Sequence, residues 1–458
     1  MTPSGFARFA RFGLAGLGGI FIIAAVALSP FSGWGRGWAL PAGFALGLGA
    51  AFFAPKLPRL PSGRTAFLLV TGTALLTGAA WLLSTRVSPM LDFARMYDTA
   101  AALAAGEPIP DPAYQALFPH LLGYPFFLSL FFRVFGPSAA VAQALNLLLS
   151  LSVAALLFSI GKKLLGVAGG LAAGLIWALT PSHILLLSLV ASEPLHIALT
   201  LLAVRIYLSA SVRAPVWALL GLTAGLSSLI RPVGPVYLLA FALCGVVFAK
   251  GNRPRLILPV LAMAAAYLSV TAATAGGFGW NLYLGMNRDS DGGWNAADYA
   301  VLEARLDEGL PAREIQSLFT AEAFGRMGER VRDGGLLRFI AKKFSRVWSQ
   351  DSFTVYWLSE GRREDSPLEI TSRAGFLTAL CNLGYGFLLG CCALSLFRLV
   401  KTGGDAFVLP VTVLTGVVFL FLLLEANPRY HYAGSAILCL LAAGCAVELK
   451  THNKGGMS

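Results

Sequence analysis

The sequence predicts an all-α polytopic membrane protein of about twelve transmembrane helices, with interfacial helices in a first outer loop and a longer, mostly helical outer loop. Three observations predict it. Of 458 residues, 57% are hydrophobic and 13% charged, and the mean hydropathy is +0.71; soluble domains carry roughly a quarter charged residues. Apolar runs long enough to cross a bilayer recur along the chain. The basic residues fall between those runs, in the alternating places that the positive-inside rule demands. A net charge of +12 distributed in this way anchors spans rather than forming a nucleic-acid face.

The runs lie near 13–30, 38–54, 66–84, 138–160, 167–186, 193–211, 215–230, 233–249, 256–275, 374–397, 407–424 and 430–448. The first follows Arg8 and Arg11 and resembles a signal peptide, but a second run follows at once, so it reads as a retained span. With both termini cytoplasmic, the inner segments carry Lys56, Arg59 and Arg64, then Lys162 and Lys163, then Arg205 to Arg213. Lys250, Arg253 and Arg255 come next, followed by Arg398 and Lys401, and finally Lys450 and Lys454. The chain thus divides into two extra N-terminal spans (1–65), a membrane core (66–275) with a first outer loop (85–137), an extracytoplasmic loop (276–373), and C-terminal spans with a short cytoplasmic tail (374–458).

Within the first outer loop, 118–136 is aromatic-rich but holds Pro119, His120, Pro125 and Arg133, which suits a helix lying in the interface better than a span. In the long loop, 311–335 has helical spacing with a proline near its start, and 336–350 is a basic amphipathic helix suited to a membrane surface. The six cysteines sit in or beside apolar runs with no CxxC spacing, and read as small core or lipid-facing residues rather than disulfide or metal ligands.

Carboxylates first gather at 88–107, SPMLDFARMYDTAAALAAGE. Asp92 and Asp98 are six residues apart, about 600° of helical rotation, so they point to different sides and form no adjacent dyad. Asp92 stands near a helix start, where a carboxylate meets the positive end of the dipole; the structural and functional readings of it weigh equally. Asp98 fits a solvated face. Arg231 and Arg429 fall at outer ends of spans, against the charge rule, which points either to anion binding or to interfacial snorkelling. Glu193 opens an outward end with His183 across the turn. Asn287, Trp294 and Asn295 suit a sugar's mixed polarity, or else order a glycine-rich loop.

The order of motifs resembles that of the polyprenyl-phosphate-sugar-dependent glycosyltransferases of the C-type superfamily, which includes protein O-mannosyltransferases and lipid A aminoarabinose transferases. The matching stretches are Ser88-Pro89…Asp92-Phe93, GYPFFLSLFFRVFG (123–136), SEP (192–194), GLSSLIRP (225–232), NLYLGMNRDSDGGWN (281–295) and EANPRYHY (425–432). The likeness covers roughly 66–449; many members carry Asp-Glu at the first acidic site, where this chain has Asp92-Phe93. It implies an integral inner- or plasma-membrane enzyme that inverts the anomeric centre as it moves a hexosyl or pentosyl group, at the outer face, from a polyprenyl phosphate to a lipid, glycan or protein. Asp92 is then the general base, Arg231 and Arg429 hold the donor phosphate, and Glu193, Tyr430, Asn287, Trp294, Asn295 and Asp98 line the substrates. No cofactor is demanded. A divalent cation stays open, although no HxxxH spacing supports one. Competing readings are a transporter or lipid flippase, which would place polar residues at mid-membrane, and an O-antigen ligase or glycan polymerase using a pyrophosphate-linked donor.

Overall fold

The computed structural model describes residues 3–31, 37–54, 61–210, 213–248, 253–274, 276–402 and 405–446. Lys56, Arg59, Lys250, Lys450 and Lys454, part of the expected inner charge pattern, lie outside the described residues. Apart from one isolated β-bridge, the described residues form helices and their connections. They begin with α1 (Pro3–Ala27), α2 (Ala39–Phe53), α3 (Gly63–Ser84), α4 (Leu91–Ala105), α5 (Pro112–Leu117), α6 (Gly123–Phe135) and α7 (Ala139–Leu179). Next come α8 (Pro181–Leu186), α9 (Glu193–Ser209), α10 (Ala214–Ile230), α11 (Gly234–Phe248), α12 (Ile257–Thr271) and α13 (Gly279–Gly285). The chain continues through α14 (Ala296–Asp307), α15 (Ala312–Arg332), α16 (Leu336–Trp348), α17 (Phe353–Glu360), α18 (Ile370–Thr402), α19 (Val408–Leu423) and α20 (Tyr432–Ala442).

Four stretches are long and apolar enough to cross a membrane: Phe9–Ala27, Gly63–Ser84, Ala139–Leu179 and Ile370–Lys401. Shorter apolar helices accompany them, among them α2, α10, α12 and α19. Their outward faces carry bare Ile23, Leu68, Leu76, Leu83 and Leu258, a surface for lipid rather than for water. This is an integral membrane protein.

Two expected spans, 138–160 and 167–186, are the arms of α7. Gly166, at φ 76° and ψ −175°, breaks the helix there, a conformation open to glycine because it has no Cβ. The arms fold back on each other: Trp177 Nε1 donates to Ser150 Oγ at 3.0 Å, and a Cβ on Gly161 would lie 2.7 Å from the Gly169 carbonyl. The second arm stops at Leu179, earlier than expected, because Pro181 cannot continue the hydrogen-bond ladder and starts α8 instead.

The N-terminal pair is built into the core. α2 lies against α18 through Gly43 and Gly47 on one helix and Gly386 and Gly390 on the other, each pair spaced by four. A Cβ on Gly43 would sit 2.0 Å from the Leu383 carbonyl, and one on Gly386 2.0 Å from that of Leu40. Small residues at this spacing let two backbones approach where lipid supplies no hydrophobic drive. Gly386→Leu is therefore expected to force the helices apart and cost about 1–3 kcal/mol, read as a lower melting temperature in detergent. Unchanged melting would show that the contact yields freely.

Shorter helices pack beside this core. α6, at 13 residues, is roughly 20 Å long, too short for a 30 Å hydrocarbon layer. It buries Tyr124, Leu128 and Phe132 and leaves Phe126, Leu130 and Val134 exposed. α16 buries Phe344 and Trp348 against Phe21 of α1, with ring centroids 5.8 and 5.1 Å apart. Its apolar stripe is therefore spent on the protein, and Leu337, Arg338 and Lys342 stay exposed. A smaller apolar core of α5, α13, α14 and α15, around Trp280 and Phe319, supports the long loop 276–373.

Candidate active site

Four chain breaks deliver the charged groups. Arg231 precedes Pro232, which disfavours helix for the residue before it; Arg231 is extended (φ −147°, ψ 129°) and ends α10. α9 starts at Glu193 with Pro194 behind it. Asn427 caps the turn Pro428–His431, its Oδ1 accepting from Arg429 N at 3.0 Å. Asp92 stands in the first turn of α4, where no capping side chain is present. The segment before it is held by backbone bonds from Ser88 N to Gly361 O (2.8 Å) and Leu368 N to Ser84 O (2.8 Å). Leu91 has φ +46°, a left-handed conformation that costs a non-glycine residue about 1–2 kcal/mol and that tends to persist at functional sites.

Three of these side chains meet directly. Glu193 Oε1 accepts from both Arg231 Nη2 and Arg429 Nε. Arg429 Nη1 lies 3.6 Å from Asp92 Oδ2, so one guanidinium bridges the two carboxylates. Their exposure is graded: the Glu193 side chain is 2% exposed, Arg429 8%, Arg231 13% and Asp92 64%. A solvent-facing carboxylate therefore stands over a buried cation pair. The guanidinium carbons of Arg429 and Arg231 sit 4.9 Å from the Phe93 ring and 5.9 Å from the Tyr430 ring, positions that add cation–π attraction.

Tyr430 donates its hydroxyl to Glu425 Oε2 at 2.7 Å, with its ring stacked on Phe421. Burial pushes Glu425 above the usual carboxylate range; the Tyr430 hydroxyl opposes this and the Asp92 charge adds to it. Beside Asp92, one turn along α4, Arg95 pairs with Asp111 at 3.5 Å and lies 4.1 Å over the Tyr114 ring. Asp98 is exposed beside Tyr97 and touches none of these groups. His183, expected opposite Glu193, instead stacks on Trp177 at 3.9 Å.

The 281–295 loop is docked on the same edge. Ala426 N donates to Gly292 O at 2.7 Å. Lys343 Nζ donates to Gly285 O (2.6 Å) and Leu424 O (2.8 Å), neutralising carbonyls at the ends of α13 and α19. Burial pushes this lysine down to about 7 against the pull of Glu425. Asn287 and Asn295 both turn inward, donating to Asp298 Oδ2 at 2.7 and 3.0 Å, and Arg326 completes the set with a bidentate pair at 2.8 and 3.0 Å. Burial would raise Asp298, but Arg326 and the two amides outweigh it and hold the carboxyl below its ordinary value. The amides thus order the loop. Trp294, 55% exposed and 6.1 Å from Tyr299, is the member of that expected trio whose side chain faces outward.

Sequence reasoning missed Glu425, Arg95 and Tyr114 as neighbours of Asp92. It also missed a second buried cluster beneath the Arg429 turn, in which Asp351 meets Ser182 and His431. Among the described residues, no three His, Cys, Asp or Glu side chains gather as a metal site would require.

No family model matches the chain, and no curated protein does. Solved structures do. The archaeal oligosaccharyltransferase AglB from Archaeoglobus fulgidus, in complex with an inhibitory peptide and a dolichol-phosphate, is 13% identical over 83% of this chain and 50% of its own, with a TM-score of 0.44. The same organism's oligosaccharyltransferase with Zn and sulfate is 14% identical over 82% and 48%, TM-score 0.47. ArnT from Cupriavidus metallidurans bound to undecaprenyl phosphate is 12% identical over 83% and 76%, TM-score 0.36. This chain spans about half the length of the oligosaccharyltransferases it matches.

Proposed function

We propose that this chain is an inverting glycosyltransferase of the membrane that moves a sugar from a polyprenyl-phosphate donor to a lipid, glycan or protein acceptor. The observation that carries the reading is the stack of an exposed Asp92 over two buried arginines, with Arg429 touching both carboxylates. Group transfer from a phosphate needs a base for the nucleophile and cations for the leaving group, and these lie within one side-chain length of each other.

In the proposed reaction Asp92 takes the proton of the acceptor hydroxyl or amine as its lone pair attacks the anomeric carbon. The bond from that carbon to the phosphate oxygen breaks on the opposite side, which inverts the centre. The electron pair leaves on the phosphate, whose developing charge Arg231 and Arg429 offset through N–H groups not spent on Glu193. A phosphate leaves without protonation, so no general acid is needed. Trp294 and Arg95 are assigned to the transferred sugar or the acceptor, and the domain limits and the twelve-span, outward-facing topology read from the charge pattern complete the proposal.

The test uses purified protein with polyprenyl monophosphate and pyrophosphate sugars side by side. Transfer from the monophosphate alone is expected. Transfer from the pyrophosphate alone would favour the ligase reading, and substrate movement across proteoliposomes with no covalent product would favour the transporter.

A further inference from the structure

Glu193 is a strange neighbour for a phosphate site. Its side chain is 2% exposed, one oxygen is shared by both arginines, and Oε2 and Arg231 Nε have no protein partner. A negative charge is thus fixed in direct contact with both cations expected to hold the donor. With Asp92 included, two guanidiniums face two carboxylates and the formal charge of the group is zero.

We infer that Glu193 is the counter-ion that weakens the grip of Arg231 and Arg429 on the spent carrier, a polyprenyl phosphate monoester, so that it leaves after transfer. The inference rests on the glycosyltransferase reading above. The donor is a phosphodiester with one negative charge. Transfer leaves a monoester whose second ionisation lies near about 6, so it is largely a dianion at neutral pH. Two buried arginines without an opposing charge would hold the dianion more tightly than the donor, because buried charges are weakly screened. A fixed carboxylate repels a dianion twice as strongly as a monoanion at the same distance. It therefore costs the product more than the substrate. Asp92 adds less to this discrimination, since water screens it.

The experiment measures, with the full-length purified chain, the donor KM and the inhibition constant of polyprenyl phosphate at pH 7.5 and 5.5, and the first turnover by rapid quench. For E193Q the inhibition constant should tighten about tenfold or more relative to KM at pH 7.5. A burst of one turnover should precede a slow steady state, and the difference from wild type should shrink at pH 5.5, where the monoester is singly charged. The comparison at each pH also controls for the ionisable neighbours Asp92, His120, Tyr124, His196 and Tyr430. An unchanged ratio of inhibition constant to KM, or a first turnover slowed as much as the steady state, overturns the inference. Should E193Q not fold, the wild type decides: its affinity for polyprenyl phosphate should change less than about threefold between the two pH values, and a tenfold tightening as pH rises overturns it. Wild type that binds polyprenyl phosphate but transfers from no donor refutes the enzyme reading itself.

Discussion

Asp92→Asn is expected to lower sugar transfer by about 10²–10⁴-fold, the usual worth of a positioned general base, while leaving the melting temperature of the protein unchanged. Both halves follow from the same geometry. The side chain is 64% exposed and its ion pair with Arg429 is 3.6 Å long, so removing the charge deprives the fold of little; exposed pairs contribute about 0–1 kcal/mol. The amide keeps the shape and cannot accept the nucleophile's proton. The position of the backbone is set independently, by the bonds of Ser84 and Ser88 to the 361–368 segment and by burial of Phe93 against Trp357. Binding of the donor, which depends on Arg231 and Arg429, should survive. Rates are measured by transfer of labelled sugar, binding by calorimetry in detergent. An Asp92→Asn protein with wild-type transfer would remove Asp92 from the role, and Glu425, whose raised proton affinity faces the same side, would be the carboxylate to test next.

Much of the architecture was legible because membrane spans write themselves in composition. Each apolar run found along the chain is largely helical where it is described, although 167–186 breaks at Thr180, and the glycine between the two arms of α7 stands where a boundary was placed. The arginines at 231 and 429 stood out because the charge pattern expects none at those span ends, and the structure brings both to Glu193. Proline shapes both places, since Pro232 follows the residue that ends α10 and Pro428 opens the short turn that carries Arg429. What stayed hidden is pairwise. Nothing in the local pattern says that Glu193 is shared by arginines 38 and 236 residues away, because spans far apart in sequence become neighbours through packing alone. The amides of 287 and 295 show the converse error. Their composition suits a sugar, yet Asp298, only a few residues on, takes their donors, and an acidic residue three positions after an Asn was a readable sign of a helix cap. Lys343 was lost in a basic amphipathic stripe, although it is fully buried and ties α13 to α19.

Asp351→Asn should destabilise the protein by about 1–3 kcal/mol, and it should reach the active site without touching it. The carboxylate is 2% exposed. It accepts from Ser182 Oγ of α8 and from His431 Nε2 at 2.7 Å, while its own backbone N–H donates to Asn382 Oδ1 of α18 at 2.8 Å. His431 belongs to the same short turn as Arg429 and Tyr430, and its Nδ1 lies against the Pro428 carbonyl. One side chain therefore clamps α8, the α16–α17 junction and the arginine-bearing turn. Asp351→Asn leaves the imidazole facing a weaker hydrogen-bond partner inside the protein, a loss the buried ring cannot recover from water. The expected result is a melting temperature lower by several degrees, together with a raised donor KM as the Arg429 turn loosens. His431→Gln alone should cost less than Asp351→Asn, and the double variant should fall well short of the sum, as coupled neighbours do. Additive losses, or an Asp351→Asn protein as stable as wild type, would show that the turn is held by Asn427 and the Tyr432–Thr354 hydroxyl bond at 2.9 Å instead.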